Sequence, residues 1–424
     1  MSVAFDAKAL VQHEVGPISV VEVPVAAAFD PITFLERFDA ERSFLFERPV
    51  DGVAIAALGE LSAPDVEVDP GILRVGGFAF DRERTPEGPW RGFPRTAWAV
   101  PRLALIRRPG VHVLRAAATE SEGGRGRALE DLKHALRVLD RPVEVVREIG
   151  SDTPGYRLEP LRSAQDWRKA VEDTLADIEE GRLNKAVLAR AIRIRADRAW
   201  QPWAVARRLR NEQPEATVFA LRRGSRIFIG ATPERLVRVD AGRVETAAVA
   251  GTAAPGGEAA GADASFLRDR KERLEHRLVV EEIERRLEPL TSDLIVPETP
   301  RVLHTAELRH LYTPIGGRLR SATGLMEVAT ELHPTPAVCG LPCKEAMAAI
   351  RAREGLERGW FAGAVGWSES DGGEVVVPLR SALLDGGDAL LFAGAGIVAG
   401  SDWARELEET RLKLRVMQTA LVEI

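Results

Sequence analysis

The sequence predicts an α+β protein built from large antiparallel β-sheets with helices packed on their outer faces. Two observations point to this class. Apolar segments are joined by tight glycine turns, as in "TVFALRRGSRIFIG" across Gly224 and "RLVRVDAGRVET" across Gly242. Strands joined by such turns pair antiparallel, because a parallel pair needs a long crossover. Amphipathic helical segments lie between the hairpins, and a doubly wound parallel fold is therefore not expected.

The first 150 residues are mostly strand-like. Here we expect strands with a turn at Gly76-Gly77 and a loop at the "GGRGR" segment, which begins at Gly123. Ser163 then has the character of a helix N-cap, and the amphipathic segment that follows it, "AQDWRKAVEDTLADIEEG", stops at Gly181. A helix is therefore predicted between these two residues.

The rest of the chain alternates between hairpins and helices. A long helix is predicted over roughly 265–289, and "GWFAGAVGWSESDGGEVVVPLRSALLDGGDALLFAGAGIV" predicts three consecutive strands with Asp-Gly-Gly turns. These strands lead into a charged C-terminal helix. We divide the chain into a strand-rich N-terminal part, 1–150, and a core, 151–424, and expect both to belong to one compact domain.

Composition excludes several classes of function. The chain has 424 residues and a net charge of −6, and no lysine or arginine block stands out, which argues against nucleic acid or an anionic membrane as partner. No apolar run approaches membrane-spanning length, and no secretory signal pattern is present. The two cysteines, Cys339 and Cys343, are too few for a disulfide framework or a closed zinc site. We therefore expect a cytoplasmic protein with two structural thiols.

A glycine-rich segment, "AGAGIVAGSDW", precedes the C-terminal helix. Gly394, Gly396 and Gly400 have the spacing GxGxxxG, whereas the dinucleotide fingerprint is GxGxxG within a strand–helix–strand unit. The sequence after Gly400 is helical throughout, and the lysine of a phosphate-binding loop is missing. A nucleotide site is therefore not expected. Backbone amides at these glycines stay candidates for binding another anion at the start of the helix.

The C-terminal helix carries charges on two different faces. At about 100° per residue, Glu406, Glu409 and Lys413 border its apolar stripe, whereas Glu408 and Arg411 lie on the far side, in solvent. Two carboxylates at the border repel each other unless a cation lies between them. The helix alone leaves two interpretations open: a solvated Glu/Lys face or a metal site.

Two basic residues lie in apolar, strand-like segments. Arg380 is the single charge in "VVVPLRSALL", and a buried guanidinium needs an anionic partner, which is either an internal carboxylate or a ligand. Lys185, in "GRLNKAVLAR", begins an apolar strand just after a helix ends. A lysine held among apolar groups has its charged form disfavoured and can act as a base. The other interpretation is a surface lysine at the start of a strand.

Two glutamates and two histidines are further candidates. Glu234, in "IGATPERL", lies in a turn that either aims it into a cleft or leaves it in solvent. Glu275, in "DRKERLEHRLVVEEI", is either a metal ligand or the helical i+4 partner of Lys271. His310, in "LRHLYTP", and His333, in "LHPTPAVCGLP", are each a site residue or a structural histidine.

Nine segments after about residue 163 resemble, in family order, the chorismate-utilising enzymes and, among them, the isochorismate synthase branch. They are "GRLNKAVLAR", "FIGATPERL", "AGT" at 250–252, "KERLEH", "LRHLYTPIGG", "LHPTPAVCGLP", "RGWFAGAVGW", "VVVPLRSALL" and "AGAGIVAGSDWARELEETRLK". Nine segments in one order are highly specific. Weaker similarity extends through the N-terminal part in "DGVAIAALGE", "GGFAFD" and "WRGFPRTAWAVPRL". The resemblance implies the fold of that family and the Mg²⁺-dependent conversion of chorismate to isochorismate.

The resemblance also implies a role for each matching residue. Lys185 aligns with the general base that activates a water for attack at C2 of chorismate, and Glu234 with the general acid that assists departure of the C4 hydroxyl. The metal-binding positions are Glu275, Glu406 and Glu409. The substrate-binding positions are Gly251, Thr252, His310, Ala337, Arg380, Gly394, Gly396 and Lys413. Mg²⁺ is the implied cofactor, and dianionic chorismate the implied partner of the basic residues.

Differences within the family favour isochorismate as the product. Members that use ammonia resemble "PSGTLTGAPK" where this chain has "HPTPAVCGLP", and a lysine base suits water rather than ammonia. The "LLES"-type signature of tryptophan-inhibited members is absent, and Phe361 stands where many members carry tyrosine. Salicylate synthase, which adds loss of pyruvate on the same scaffold, is the enzymatic alternative. A non-catalytic or amidotransferase-partnered subunit is the other. We expect a monomer whose product serves menaquinone or catechol siderophore synthesis.

Overall fold

The structure is a computed structural model that describes residues 11–15, 17–26, 29–61, 71–141, 155–253, 262–305, 308–320, 323–370 and 372–422. Its strands are β1 Val11–Val15, β2 Ile18–Pro24, β3 Arg42–Arg48, β4 Val53–Leu58, β5 Arg74–Phe78, β6 Thr96–Ala99, β7 Leu103–Arg108, β8 Val111–Thr119, β9 Tyr156–Pro160, β10 Lys185–Ala196, β11 Thr217–Arg223, β12 Arg226–Thr232, β13 Arg235–Asp240, β14 Arg243–Ala253, β15 Arg301–His304, β16 Arg309–Arg318, β17 Gly340–Leu341, β18 Ala364–Glu369, β19 Gly372–Val376, β20 Ser381–Asp385 and β21 Asp388–Ile397. Its α-helices are α1 Pro31–Phe38, α2 Gly124–Asp140, α3 Ala164–Glu179, α4 Pro202–Glu212, α5 Ala262–Phe266, α6 Arg270–Leu287, α7 Leu325–Leu332, α8 Cys343–Arg353 and α9 Trp403–Val422.

The strands form two sheets, and every strand pair among the described residues is antiparallel, which confirms the predicted fold class. The larger sheet has the order β1-β2-β8-β7-β4-β3-β11-β12-β20-β21-β10-β17, with β9 also beside β10. The smaller sheet has the order β15-β16-β14-β13-β19-β18-β5-β6. The hairpins predicted across Gly224 and Gly242 join β11 to β12 and β13 to β14.

Both sheets combine strands from the two parts of the chain. In the smaller sheet β5 pairs with β18, and in the larger sheet β3 pairs with β11. Neither sheet is complete with strands from one side of residue 150. We therefore propose that 1–150 and 151–424 fold together as one domain.

The apolar side chains lie in layers defined by the sheets. The largest buried cluster takes residues from both sheets, among them Phe46 of β3, Val237 of β13 and Phe392 of β21. Leu45, which precedes Phe46 and therefore points to the other face of β3, belongs to a second cluster buried by α1, α2, α4 and α9. The helices thus cover outer faces, as expected. Within the described ranges, none of the helices is long and apolar enough to cross a membrane.

The helix predicted after Ser163 is α3. Ser163 Oγ accepts a hydrogen bond from the Asp166 amide at 3.1 Å, and Asp166 Oδ2 accepts one from the Ser163 amide at 3.1 Å. This reciprocal pair is a capping box, which satisfies amides that the first turn leaves open. Past the other end of α3, Gly181 has a left-handed φ of 73°, which glycine adopts without steric penalty.

Two predictions in the N-terminal part were wrong. Gly76 and Gly77 lie inside β5 rather than in a turn, because neighbouring backbone passes too close for a side chain. A Cβ on Gly76 would lie 1.8 Å from the Ala97 carbonyl oxygen, and one on Gly77 would lie 1.9 Å from that of Ala364. The "GGRGR" segment is not a loop: its second glycine is the first residue of α2.

Two predictions in the C-terminal part also needed correction. The long helix is interrupted: α5 ends at Phe266, and α6 begins after Asp269, whose side chain accepts from the Glu272 amide at 3.1 Å. The segment "VVVPLRSALL" is not one strand but the end of β19 and the start of β20, so four strands replace the predicted three. The segment divides into two strands because Pro378 lacks the N–H that a sheet ladder needs and Arg380 has a left-handed φ of 48°.

Candidate active site

A cavity lies where the chain passes between the two sheets. The passage from β12 to β13 runs through Pro233 and Glu234, and the passage from β19 to β20 runs through residues 377–380. Hydrogen bonds hold the two passages together: Thr232 Oγ1 donates to the Val377 carbonyl at 2.6 Å, and the Val377 amide donates to the Glu234 carbonyl at 3.0 Å. The cavity wall is therefore built from crossovers rather than from the middle of a strand.

The cavity brings together most of the residues that the sequence singled out. Those that line it are Glu234, Gly251, Thr252, Glu275, His310, Ala337, Arg380, Gly394, Gly396 and Lys413. Lys185 lies directly behind this lining, and Glu409 and Glu406 lie on α9, one and two turns before Lys413, respectively. His333 is not in the wall: it is buried, and its Nε2 is 2.9 Å from the Ala362 carbonyl oxygen, which favours the structural interpretation.

Glu234 lies at the cavity with its side chain buried. The crossover fixes its backbone, because the Glu234 amide donates to Thr232 Oγ1 at 3.2 Å. Burial raises the pKa of Glu234 to about 7, against the opposing effect of the positive charges on Lys185 and Lys413. A carboxyl with this pKa is substantially protonated near neutral pH, and such a group can donate a proton. The sequence left open whether Glu234 points to solvent, and the structure shows that it does not.

Lys185 is the first residue of β10 and is fully buried. Its Nζ is 2.9 Å from Glu275 Oε1, an ion pair without the angles of a good hydrogen bond. Gly396 makes room for this pair, because a Cβ there would lie 2.2 Å from Glu275 Oε1 and 3.0 Å from Lys185 Cε. The surface interpretation of Lys185 and the Lys271 partner for Glu275 were therefore both wrong.

Arg380 and His310 form a polar group in the cavity wall. Arg380 is buried, and its Nη2 lies 3.3 Å from His310 Nε2. On the other side of the ring, His310 Nδ1 lies 3.2 Å from Thr252 Oγ1. Burial and the charges of Arg380 and Lys413 hold the pKa of His310 well below its usual range. The imidazole is therefore neutral, and the positive charge of this pair lies on Arg380.

Gly251 forms a bulge that shapes the cavity next to α6. The pairing of β14 with β16 shifts register between Ala250 and Thr252, and Gly251 between them has a left-handed φ of 78°. The bulge frees the Thr252 amide, which donates to Glu272 Oε2 at 2.7 Å. Glu272 is a further candidate beside the cavity that the sequence analysis missed, although it lies in "KERLEH" three residues before Glu275 and so shares its helix face.

Four carboxylates from α6 and α9 gather beside the cavity: Glu272, Glu275, Glu406 and Glu409. Each of these carboxylates lies within ion-pair distance of a lysine. Lys271 Nζ is 2.7 Å from Glu406 and 3.4 Å from Glu272, and Lys413 Nζ is 2.5 Å from Glu409. Among the described residues, no three His, Cys, Asp or Glu side chains are grouped so that they could hold a metal ion.

The carboxylate group nevertheless has the chemistry that a hard divalent cation needs. Mg²⁺ prefers carboxylate and water oxygens, and this group offers four carboxylates against three lysines. Burial, together with the negative charges of Glu275 and Glu409, raises the pKa of Glu272 to about 7. Burial and the charge on Glu409 also raise the pKa of Glu406. The negative charges of neighbouring carboxylates contribute to both shifts, and an added cation would relieve this repulsion.

The two faces of α9 match the helical pattern. Glu406 is buried at 1% exposure and Glu409 is half-buried, whereas Glu408 is exposed and pairs with Arg411 at the surface. Lys413 Nζ reaches back to the Gly394 carbonyl at 2.9 Å. Gly394 and Gly396 are in β21 rather than in a loop, so they do not form a phosphate cradle at a helix start. Their register instead sets them opposite Ala189 and Val187 of β10 in the cavity wall.

Comparison with known sequences gives a consistent result. The family model described as chorismate binding enzyme matches residues 62–422. The protein named salicylate biosynthesis isochorismate synthase from Pseudomonas aeruginosa is 39% identical over 355 residues, which are 82% of this chain and 74% of that protein. Isochorismate synthase MenF from Bacillus subtilis is 38% identical over 260 residues, which are 60% of this chain and 55% of that protein.

Comparison with solved structures agrees on the fold. The menaquinone-specific isochorismate synthase MenF from Escherichia coli has a TM-score of 0.81 at 27% identity and covers 97% of this chain and 96% of its own. Anthranilate synthase component I from Streptococcus pneumoniae shares the fold, with a TM-score of 0.71 at 22% identity over 98% of this chain and 95% of its own. The matched residues include every part of the cavity wall. This chain therefore belongs to the chorismate-binding enzyme family.

Proposed function

We propose that this protein is an isochorismate synthase, an isomerase that converts chorismate to isochorismate. The observation that carries the proposal is a cavity that combines Glu234, a buried carboxyl with a pKa of about 7, with two basic residues in its wall, Arg380 and Lys413, and with the buried Lys185 directly behind the wall. Such a site suits a dianionic substrate that needs a proton donor at one carbon and a base near another. Relatives named as isochorismate synthases support the same activity.

In the proposed reaction Lys185 and Glu234 exchange protons with two oxygens. Lys185, in its neutral form, takes a proton from a water as that water attacks C2 of the ring. The double bonds shift, the C4–O bond breaks, and Glu234 gives its proton to the departing hydroxyl, which leaves as water. One water enters and one leaves, so the overall change is an isomerisation. Lys185 ends protonated and Glu234 ionised, and proton exchange with solvent restores both.

The remaining cavity residues bind and orient the substrate. Arg380 and Lys413 supply positive charge for the two carboxylates of chorismate, and bidentate binding to a guanidinium also fixes their orientation. We assign supporting contacts to Thr252, His310 and Ala337 and to backbone groups of three glycines, Gly251, Gly394 and Gly396. The neutral imidazole of His310 keeps Arg380 in place without adding a charge that would compete for the substrate.

We propose that Glu275, Glu406 and Glu409, together with Glu272, hold Mg²⁺ in the active enzyme. Bound there, Mg²⁺ would neutralise these carboxylates and supply a positive charge for a ring carboxylate. The protein's own part is to hold the four carboxylates, two buried and two half-buried, on two helices, α6 and α9, beside the cavity. The lysines that pair with them keep this charge tolerable in the metal-free protein.

The direct test is product analysis. The purified protein is incubated with chorismate and Mg²⁺, and the products are separated by chromatography and identified by mass spectrometry. Isochorismate is expected, with a rate that falls when a chelator removes the metal. Salicylate and pyruvate as direct products would instead support the salicylate synthase alternative, and anthranilate in the presence of ammonia would contradict the assignment of water as nucleophile.

Two finer points belong to the same proposal. The names of the relatives connect isochorismate with menaquinone and with salicylate, and we propose that the product serves menaquinone or catechol siderophore synthesis in this protein's host. We also propose a cytoplasmic monomer, in keeping with its two free thiols, since reducing compartments preserve thiols. Size-exclusion chromatography with light scattering tests the monomer, and a dimer mass would contradict it.

A further inference from the structure

Cys339 and Cys343 lie next to each other beside the cavity. Their Sγ atoms are 3.9 Å apart, and Cys339 Sγ is also 3.7 Å from the Cys343 carbonyl oxygen. Both are free thiols. A disulfide needs its sulfurs about 2 Å apart, so a movement of roughly 2 Å joins the pair. The two thiols are therefore close enough for an intramolecular disulfide, which a purely structural role does not require.

The two thiols differ in access and in surroundings. Cys339 is fully buried, whereas Cys343 is half-buried and is the first residue of α8. The hydrogen bond with Cys339 and the Arg286 guanidinium lower the pKa of Cys343, while the same hydrogen bond and burial raise the pKa of Cys339. A thiolate at a helix N-terminus beside an arginine is the form that oxidants attack. Cys343 is thus the accessible nucleophile, and Cys339 is the buried thiol next to it.

The loop between the cysteines contacts the start of β10. It contains β17, in which Gly340 and Leu341 pair with Ala186 and Lys185. There is no spare room at this contact, because a Cβ on Gly340 would lie 2.3 Å from the Lys185 carbonyl oxygen. A displacement of either cysteine is therefore transmitted to the backbone of Lys185.

Cys339 itself contacts the cavity wall. The Cys339 carbonyl accepts a hydrogen bond from the Val187 amide at 2.7 Å, and Val187 lines the cavity. Ala337 and Val338, immediately before Cys339, line it as well. A movement that brings the two sulfurs together therefore acts on the wall at Val187 and at Ala337 and Val338.

We propose that Cys339 and Cys343 are a reversible modification site, which hydrogen peroxide or an organic hydroperoxide oxidises to a disulfide that lowers turnover in the adjoining cavity. The Cys343 thiolate attacks one peroxide oxygen, the O–O bond breaks, and a sulfenic acid forms with release of water or alcohol. The Cys339 sulfur then attacks the Cys343 sulfur, the S–O bond breaks, and the departing hydroxide takes the Cys339 proton and leaves as a second water. Two thiols are oxidised and one peroxide is reduced, and dithiothreitol reverses the change.

The effect on turnover rests on the proposed function, whereas disulfide formation does not. Because the loop holds Lys185, closing the sulfurs displaces the proposed base by a fraction of the 2 Å movement. Misplacement of a reacting group by about 1 Å lowers rates by up to roughly 100-fold, so we expect turnover to fall by about tenfold or more.

The test treats the full-length, Mg²⁺-loaded protein with hydrogen peroxide under native conditions. After quenching, the protein is unfolded and alkylated, and peptide mass spectrometry counts the thiols that remain. The proposal expects a Cys339–Cys343 disulfide, a fall in turnover of about tenfold or more, and recovery of both thiols and rate after dithiothreitol. No disulfide, or over-oxidation of Cys343 without one, would overturn the site. A disulfide with unchanged turnover would overturn its effect on the cavity.

Two variants separate this mechanism from general oxidative damage. Cys343→Ser keeps its basal turnover, because Cys343 does not line the cavity, and it is expected to resist peroxide. Cys339→Ala is expected to stop at the sulfenic acid of Cys343, which dimedone traps. An equal loss of rate in Cys343→Ser would show that another residue is responsible. If the protein makes no isochorismate at all, the mass measurement still decides whether the disulfide forms.

Discussion

Two groups of ion pairs flank the cavity, one fully buried and one partly buried, and they are built differently. In the first, Arg358 and Glu354 are 3% and 2% exposed, and Arg358 Nε donates to Glu354 at 2.8 Å. Arg358 also donates to the carbonyls of Val338 and Val187, at 2.8 and 2.7 Å, while Glu354 accepts from the Ala189 amide at 2.8 Å. In the second, four carboxylates on α6 and α9 share three lysines, and Lys185 lacks good hydrogen-bond geometry.

The difference lies in how completely each group satisfies its own charges and hydrogen bonds. An arginine presents five N–H donors in a fixed plane, and here they satisfy a carboxylate and two carbonyls at once, so charge and hydrogen bonds balance within the protein. Lysines are compact charges on flexible stems, and a group with more carboxylates than lysines remains short of positive charge. We infer that the arginine group fixes β10 to the cavity wall, whereas the lysine group is left unbalanced in order to bind a cation.

The largest effect is expected from Lys185→Met, which removes the proposed base. We expect kcat to fall on the order of 1,000-fold, within the range for loss of a general base, while KM for chorismate changes little. Steady-state kinetics measures both. The matched control is Lys169→Met, because Lys169 is an exposed lysine on α3. Turnover retained in Lys185→Met, or lost equally in the control, would contradict the role of Lys185.

Arg358→Met is expected to act mainly on stability. It leaves Glu354 buried without its partner, and breaking a buried pair from one side costs about 3–5 kcal/mol in the free energy of unfolding. Urea denaturation measures this loss. The double variant Arg358→Met, Glu354→Gln is expected to recover part of it, because no charge stays buried. An unchanged free energy of unfolding would show that the arginine group is not the structural one.

The pH profile examines Glu234, a buried carboxyl outside both groups. Because the pKa of Glu234 is raised to about 7, its protonated form is lost as the pH rises through that value. We expect kcat/KM to fall above about pH 7, approaching tenfold per pH unit, if Glu234 must donate a proton. Kinetics from pH 6 to pH 9 measures the profile. A Glu234→Gln variant that keeps the same fall would assign it to a different group.

Glu409→Gln removes one carboxylate from the lysine group. We expect the Mg²⁺ affinity, measured by isothermal titration calorimetry, to weaken by roughly 10–100-fold, as is typical for changes in and around metal ligands. Glu408→Gln is the matched control, since Glu408 is the exposed neighbour on the same helix. Equal affinity in Glu409→Gln and the control would remove Glu409 from the metal site.

The smallest expected effect comes from Lys271→Met. Lys271 neutralises Glu406 and Glu272 in the metal-free protein, so its loss leaves more negative charge for a cation. We expect Mg²⁺ to bind roughly fivefold more tightly, which corresponds to about 1 kcal/mol for one charge at a solvated separation. The same calorimetry measures it. Weaker binding would mean that Lys271 supports the metal site rather than competing with the metal.

The sequence predicted most residues of the candidate site because they lie in short, recognisable segments. Lys185, Glu234 and Arg380 each stand out as a charge in apolar surroundings, and helical periodicity separated buried Glu406 from exposed Glu408. Periodicity works there because α9 is long and has one packed face. The antiparallel class followed from tight turns for a similar reason, since short connections leave the chain only one way to pair.

What the sequence did not predict depends on contacts between distant segments. Glu272 becomes a site residue because the bulge at Gly251 directs the Thr252 amide towards it, and a single sequence does not show this register shift. Gly76 looked like a turn because glycine favours turns, yet it is required by a close approach of β6. The pairs Lys185–Glu275 and Lys271–Glu406 were also missed, since the two partners of each pair come from different elements.

The most direct test of the central claim is the origin of the oxygen at C2 of the product. Chorismate is converted in water enriched in oxygen-18, and the isochorismate is analysed by mass spectrometry with fragmentation. If Lys185 activates a solvent water and Glu234 expels the C4 hydroxyl, one labelled oxygen appears at C2 in each product molecule. Unlabelled isochorismate would mean that the hydroxyl moves within the substrate, and would contradict the roles assigned to both residues.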